Sequence, residues 1–210
     1  MTTAWLAGGS GLVGRELLRL LLGDGYFTRI VSVGRRTLPI DHPKLVQEKV
    51  EFSNPAAFTS LDAPDVAFCC LGTTIKKAGS REAFRAVDYD AVLTFANAAH
   101  AKGARAFLHV SSLGADPRSR YFYYSVKGEI EAALEKVGFD SVFALRPSTL
   151  DGDRPERRAL ARTVLAFARA LGPVLGKYRP TPSLAVARTM IAKAKERTPE
   201  SHVIEADAIA

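Results

Sequence analysis

A tyrosine and a lysine four residues apart, shortly after a pair of serines, are the residues whose types and spacing could do chemistry in this chain. Tyr123 and Lys127 lie in a segment with helical periodicity, where positions four apart share one face of the helix. A free phenol ionises at about pH 10, so it needs a nearby ammonium to exchange protons at neutral pH. Ser111 and Ser112 end the preceding predicted strand, where a hydroxyl could hold a substrate oxygen. The pattern predicts acid–base transfer of a proton by Tyr123.

An aromatic packing cluster is the alternative at this place. A Tyr-x-x-x-Lys spacing arises by chance on many amphipathic helices, and Tyr121 and Tyr124 lie close by. The serines just upstream favour chemistry, because ligands of parallel α/β sheets bind at the carboxyl ends of the strands.

A glycine-rich turn near the start of the chain is the second informative pattern. Gly8, Gly11 and Gly14 follow a predicted strand, and helical periodicity begins at Leu12. Such a turn lets the backbone approach a pyrophosphate, which then faces the N–H groups and the dipole of the helix. An ordinary glycine-rich turn is the alternative, but the position after the first strand favours a dinucleotide. The residues expected to contact the nucleotide are Gly8, Gly9, Ser10, Gly11, Leu12, Val13 and Gly14.

Two arginines follow the second predicted strand. An NAD-binding domain usually has an acidic residue at that place, which accepts hydrogen bonds from the ribose hydroxyls. Arg35 and Arg36 would instead bind a 2′-phosphate through charge-assisted hydrogen bonds, so we predict NADP(H) rather than NAD(H). A solvated basic loop is the alternative. Leu71 and Gly72, at the end of the fourth strand, are expected beside the nicotinamide-side ribose.

The elements that must position these residues alternate between apolar strands and helices. This pattern predicts an α/β fold with a doubly wound parallel sheet of the Rossmann, NAD(P)-binding type. We predict an NAD(P)-binding domain over residues 1–150 and a small helical C-terminal substrate lobe, integrated with it, over residues 151–210. The predicted strands are 3–7, 29–33, 45–50, 66–71, 106–111 and 141–145, with a late edge strand at 203–205. The predicted helices are 12–22, 81–102 with a break near Asp88, 123–137, 160–171 and 184–197.

Composition limits the function classes further. The 210 residues have 47% hydrophobic content and no apolar leader or membrane span, so we expect no membrane partner. Cys69 and Cys70 are adjacent in an apolar run, which excludes a disulfide framework and predicts core positions and a cytoplasmic location. No His/Cys/Asp cluster has metal-ligand spacing, so we predict no metal.

The net charge is +7, and eleven basic residues against two acidic ones lie between positions 154 and 197. We interpret this stretch as a solvated helical face rather than a nucleic-acid site, and a protein partner for it stays an alternative.

Taken together, these segments resemble an atypical short-chain dehydrogenase/reductase, within the group of the Tat-interacting-protein-like oxidoreductases. The matching segments run in order over about three quarters of the chain: 8–14, 33–36, 68–74, 77–79, 87–88, 111–116, 123–129 and 146–158. The resemblance implies Tyr123 as the acid/base and, because its pattern places the active hydroxyl second, Ser112 rather than Ser111. It also implies NADPH contacts at the glycine turn, Arg35, Arg36, Leu71, Gly72, Tyr123, Lys127, Leu150 and Arg158. One departure is Asp88, where better-known members of the wider superfamily have an asparagine that helps to organise a proton-relay water.

These observations predict an NADPH-dependent oxidoreductase that transfers hydride to or from a small carbonyl or alcohol substrate. The alternative is an NADPH-binding regulatory or protein-interaction module with little turnover, which the Asp88 departure and the basic C-terminal segment would fit. A thiol-based aldehyde oxidation through Cys70 ranks below both, because no base near the thiol is evident.

Overall fold

One seven-stranded parallel sheet organises the part of the chain that the structure describes. The structure is a computed structural model that describes residues 2–151, 178–196 and 198–209. The strands of the sheet, in chain order, are β1 (Thr2–Ala7), β2 (Phe27–Gly34), β3 (Leu45–Lys49), β4 (Val66–Cys69), β5 (Ala106–Val110), β6 (Ser141–Arg146) and β9 (Glu200–Glu205). They lie in the order β3-β2-β1-β4-β5-β6-β9, and every neighbouring pair is parallel. Two short strands, β7 (Leu150–Asp151) and β8 (Thr181–Pro182), form a separate parallel pair.

Helices cover both faces of this sheet. The helices are α1 (Leu12–Gly23), α2 (Ile75–Ala78), α3 (Arg81–Arg85), α4 (Ala91–Ala101), α5 (Phe122–Leu134) and α6 (Ser183–Glu196). Helices α1 and α6 pack on one face, and α4 and α5 pack on the other. Successive strand residues point to opposite faces, so Leu6 joins the first cluster while Trp5 joins the second. Burial on both sides explains why the strands are apolar throughout.

The strand order reverses direction between β1 and β4, which places a crevice at their carboxyl ends. Ala7, the last residue of β1, is the register partner of Cys69, the last residue of β4. The segments that follow these two strands therefore leave the sheet side by side. In doubly wound sheets this crevice is where ligands bind.

The predicted architecture is confirmed, with most element ends within one or two residues of the prediction. The break expected near Asp88 is a π-helical turn, Ala86–Asp90, between α3 and α4. The expected late edge strand is β9, which extends the sheet beyond β6. The predicted helix 160–171 and Arg158 lie outside the described residues.

The described part of the predicted C-terminal lobe builds onto the main sheet. Helix α6 packs on α1, and β9 pairs with β6 over six residues. The division of the chain at residue 150 stays a prediction, because the segment that would form most of the lobe is not described.

Candidate active site

The glycine turn is built so that the backbone of α1 meets the end of β1 directly. A Cβ atom on Gly14 would lie 2.1 Å from the carbonyl oxygen of Gly8, and a Cβ on Gly8 would lie 2.5 Å from the carbonyl carbon of Cys70. Gly8 also has φ +83°, which favours glycine. The Gly11 N–H donates to the Gly8 carbonyl at 2.9 Å, which closes the turn. Only glycine fits at positions 8 and 14, because even a methyl group would overlap the neighbouring backbone.

The N-terminus of α1 is open to an anion. The cap residue is Gly11, which has no side chain to accept from the first N–H groups, and the first turn carries no acidic residue. The positive end of the helix dipole and these N–H groups thus face the crevice between β1 and β4.

The two arginines predicted to select the nucleotide are exposed after the end of β2. Arg35 and Arg36 follow Gly34, the last residue of β2. The loop that continues from them is fixed by Gln47 of β3, whose side-chain oxygen accepts from the Leu38 N–H at 2.7 Å. The same side chain donates to the Leu38 carbonyl at 3.1 Å. Gln47 was not predicted from the sequence, because nothing in its neighbours distinguishes it from an ordinary strand residue.

Tyr123 and Lys127 occupy the first half of α5, as predicted. The half-buried Tyr123 ring packs against Phe84 at 5.5 Å and Tyr124 at 5.3 Å between ring centroids. The Lys127 side chain is 6% exposed, and its Nζ lies 2.8 Å from Oδ1 of Asp88, which is fully buried. Burial lowers the pKa of Lys127, but the Asp88 carboxylate and the Tyr123 phenol outweigh burial and raise the pKa above its ordinary value.

Asp88 is the main residue of the site whose contact the sequence did not predict. Its Oδ2 accepts from the backbone N–H of Thr73 at 2.8 Å, while its Oδ1 faces Lys127. A Cβ placed on Gly72 would lie 3.4 Å from Asp88 Oδ1 and 3.8 Å from Lys127 Nζ. The ion pair thus lies directly beside Gly72, in the crevice. The available signal was the resemblance, in which Asp88 replaces the asparagine of better-known members.

The two serines have different surroundings. The buried Ser111 hydroxyl donates to Glu131, whose other oxygen meets Arg146 at 2.5 Å. The half-buried Ser112 has a hydroxyl bonded only weakly, at 3.3 Å, to the carbonyl of its neighbour Leu113. The Ser111 hydroxyl therefore belongs to the contact between α5 and β6, whereas the Ser112 hydroxyl bonds only to the backbone of its own segment among the described residues.

Two of the remaining predicted residues, Leu71 and Leu150, pack on opposite faces of the sheet. Leu71 packs against the α4/α5 cluster just before Gly72. Leu150, in β7, packs against the α1/α6 cluster and pairs with Thr181. Arg158 lies outside the described residues.

The surroundings of the two cysteines disfavour the thiolate form. Burial raises the pKa of the Cys69 thiol to about 12, and burial together with Cys69 raises the pKa of Cys70 well above its ordinary value. Both thiols therefore stay protonated at neutral pH. Cys69 is buried in the core, as predicted, whereas Cys70 is half-buried and packs against the core. Within residues 2–151, 178–196 and 198–209, no group of three or more His, Cys, Asp or Glu side chains is arranged to hold a metal ion. None of the helices described there is long and apolar enough to span a membrane.

Comparison with known proteins identifies the family. Residues 4–171 match the model of the NAD dependent epimerase/dehydratase family. The chain belongs to this family. The fold also resembles WbmH of Bordetella bronchiseptica, solved in complex with NAD⁺, with a TM-score of 0.69 and 15% identity over 98% of this chain and 75% of that one. The family supports an NAD(P)-binding, oxidoreductase-like protein, and the structural likeness shows the fold.

Two relatives refine the position within the family. Protein HTATIP2 of Rattus norvegicus is 36% identical over 193 residues, which cover 90% of this chain and 79% of the relative. Protein FMP52, mitochondrial, of Coccidioides immitis is 32% identical over 208 residues, which cover 91% of this chain and 85% of the relative. The resemblance to the Tat-interacting-protein-like group is confirmed.

The predicted cytoplasmic location is wrong. The fungal relatives from Coccidioides immitis, Emericella nidulans, Candida albicans and Saccharomyces cerevisiae are all named mitochondrial. The prediction failed because it was based on the two unpaired cysteines. Unpaired cysteines indicate a reducing environment, and the cytoplasm is not the only compartment that provides one.

Proposed function

We propose that this protein is an NADPH-dependent oxidoreductase of the short-chain dehydrogenase/reductase type, acting on a small carbonyl or alcohol substrate. One observation carries the proposal: the buried ammonium of Lys127, four residues after Tyr123, lies beside Gly72 in the same crevice as the glycine turn. The turn suits a pyrophosphate, and the tyrosine–lysine pair suits a proton donor next to it.

The crevice fits a dinucleotide on its own geometry. The space at Gly8 and Gly14 excludes even a methyl group, and the open N-terminus of α1 can meet a pyrophosphate. We expect the nicotinamide end to contact Leu71, Gly72, Lys127 and Leu150. Bound NADPH would supply the hydride for reduction of a carbonyl.

The side chains of the chain would handle the proton and the orientation of the substrate. The Ser112 hydroxyl would donate a hydrogen bond to the substrate oxygen. The Tyr123 phenol would donate its proton to that oxygen as the carbonyl is reduced. The Lys127 ammonium would stabilise the phenolate that this transfer leaves behind.

The choice of NADPH over NADH rests on Arg35 and Arg36. A hydrogen bond between a guanidinium and a phosphate contributes about 1.5–3 kcal/mol, or roughly 10- to 100-fold in affinity. We therefore expect Arg35→Asp to weaken NADPH binding by at least about 10-fold and to leave NADH binding nearly unchanged. A fluorescence titration with each nucleotide measures both constants.

Arg105→Asp is the matched control for this titration. Arg105 immediately precedes β5, at the amino edge of the sheet and away from the crevice, and its exposed ion pair with Asp140 adds little stability. The Arg105→Asp substitution changes the net charge by the same amount as Arg35→Asp. Equal loss of NADPH affinity in both variants would mean that long-range charge, not a phosphate contact, sets the affinity. Equal affinity of the wild-type protein for NADPH and NADH would overturn the NADP(H) assignment.

Turnover separates the proposed enzyme from a binding module. A second candidate is an NADPH-binding regulatory module with little turnover, which the departure at Asp88 favours, because better-known members of the superfamily have at this place an asparagine that organises a proton-relay water. A panel of small aldehydes and ketones, followed by NADPH oxidation, decides between them. If the protein is the proposed enzyme, we expect NADPH oxidation with at least one of these substrates and its loss in Tyr123→Phe. If the protein is a binding module, we expect tight NADPH binding and no NADPH oxidation with any substrate of the panel.

A further inference from the structure

A π-helical turn places one carboxylate against α5. The turn Ala86–Asp90 joins α3 to α4, and its wider winding shifts which residues face inward. Asp88 is fully buried, whereas Asp90, two residues later, is exposed. Two acidic residues of one turn thus have opposite surroundings, which makes Asp90 a matched control for Asp88.

The Asp88 carboxylate links two parts of the crevice. Oδ2 accepts from the Thr73 N–H in the segment after β4, and Oδ1 lies 2.8 Å from Lys127 Nζ on α5. A buried ammonium without a partner is unfavourable by several kcal/mol, so each of these two charges depends on the other.

Among the described titratable groups that face Lys127, Asp88 is the one carboxylate. The titratable groups that face the ammonium are Asp88 from the π-helical turn, Tyr123 from α5, Cys69 from β4 and His109 from β5. The Cys69 thiol is protonated, because burial raises its pKa to about 12. His109 is neutral, because burial, Lys127 and Arg146 lower its pKa to about 3. Among the described residues, Asp88 is therefore the carboxylate that keeps Lys127 charged.

We propose that Asp88 is a positioning residue, which holds the Lys127 side chain as an ammonium and fixes it between Gly72 and Tyr123. Without the carboxylate, burial acts unopposed and favours the neutral amine. A neutral amine would not stabilise a Tyr123 phenolate. The consequence for turnover rests on the proposed function, but the charge state of Lys127 does not.

The first experiment is an NMR titration of the nucleotide-free protein labelled with ¹³C at the lysine ε-carbons, with Lys127→Met to assign the Lys127 signal. In the wild-type protein we expect Lys127 to remain charged when the exposed lysines titrate, at about pH 10.4. Deprotonation of Lys127 before the exposed lysines would overturn the proposal. This measurement needs no variant at position 88, so it stands even where such a variant does not fold.

The second titration compares Asp88→Asn with Asp90→Asn. In Asp88→Asn the new side-chain amide oxygen can still accept from the Thr73 N–H, so the substitution removes the charge and keeps that bond. We expect Lys127 to titrate at a lower pH than the other lysines in Asp88→Asn, and as in the wild-type protein in Asp90→Asn. An unchanged Lys127 titration in Asp88→Asn would refute the role of Asp88.

The pH profile of kcat/KM tests the consequence for the reaction. In Asp88→Asn we expect the rate to fall at a lower pH than in the wild-type protein, because Lys127 loses its charge earlier. Asp88→Glu should restore the wild-type profile in part, and Asp90→Asn should match it. A shifted Lys127 titration in a protein that does not bind NADPH would support the role of Asp88 while refuting the proposed function. An unshifted Lys127 titration in a protein that oxidises NADPH with a carbonyl substrate would refute the role of Asp88 and would support the proposed function.

Discussion

A methyl group added at Gly14 should separate the two halves of the glycine turn. In Gly14→Ala the new Cβ would lie 2.1 Å from the Gly8 carbonyl oxygen and 2.9 Å from the Cα of Gly9. Atoms in contact lie about 3.5 Å apart or more, so α1 must move by about 1 Å or more from the end of β1. Overpacking of this kind costs about 1–3 kcal/mol of stability.

The same displacement should weaken nucleotide binding. The N–H groups at the start of α1 would no longer be aligned with a pyrophosphate, and each lost hydrogen bond to a charged group weakens binding by about 1.5–3 kcal/mol. We expect NADPH affinity to fall by at least about 10-fold in Gly14→Ala. Urea unfolding measures the loss of stability, and a fluorescence titration measures the loss of affinity.

Gly23→Ala is the control in the same helix. A Cβ on Gly23, at the end of α1, would meet nothing within 4 Å. Alanine there should leave NADPH affinity unchanged and should not lower stability, because alanine is the better helix former. If Gly14→Ala bound NADPH as tightly as Gly23→Ala, the close approach of α1 to β1 would not define the nucleotide site.

Two further predictions concern β5 and the residues after it. The folded-state pKa of His109 is lowered from 6.5 to about 3, mainly by burial, so the unfolded chain takes up its proton first. The stability from neutral His109 is therefore full above about pH 6.5 and is lost as the pH falls toward about 3, by up to about 1.4 kcal/mol per pH unit. Urea unfolding across this range should show a shallower pH dependence in His109→Leu, and an identical dependence would contradict the prediction. For the serines, Ser112→Ala should lower kcat with an active carbonyl substrate by at least about 10-fold, as expected for loss of a hydrogen bond that stabilises the transition state. Ser111→Ala should instead lower the free energy of unfolding by about 1–3 kcal/mol, because Glu131 loses one of the three hydrogen bonds that its carboxylate accepts from Ser111 and Arg146. The opposite assignment of the two effects would show that Ser111 serves the substrate.

The fold could be predicted because its signals are local. Strands buried on both faces are apolar runs, helices show their own periodicity, and the turn from Gly8 to Gly14 marks the first crossover. The break expected near Asp88 is a π-helical turn in the structure. These patterns need no knowledge of which elements meet.

The partners of the site residues could not be predicted in the same way. Asp88 and Lys127 belong to different helices, and their contact depends on how the π-helical turn is wound. The hydrogen bond that Ser111 donates to Glu131 depends on the packing of α5 against the end of β5. Spacing along the chain indicates which residues share a helix face, but it does not indicate what the neighbouring element presents to that face.

The contact between α1 and α6 has a consequence for the synthesis of the protein. The apolar side of α1, with Leu17, Leu18 and Leu21, is buried in one cluster with Val186 and Met190 of α6. The ribosome makes α1 early, and residues 183–196 emerge only after five of the seven described sheet strands have followed α1. Until then the leucines of α1 lack part of their cover, and β6 lacks its outer neighbour β9. A nascent chain stalled before α6 would therefore expose a leucine-rich helix face and an open strand edge, the surfaces to which chaperones bind and through which chains aggregate.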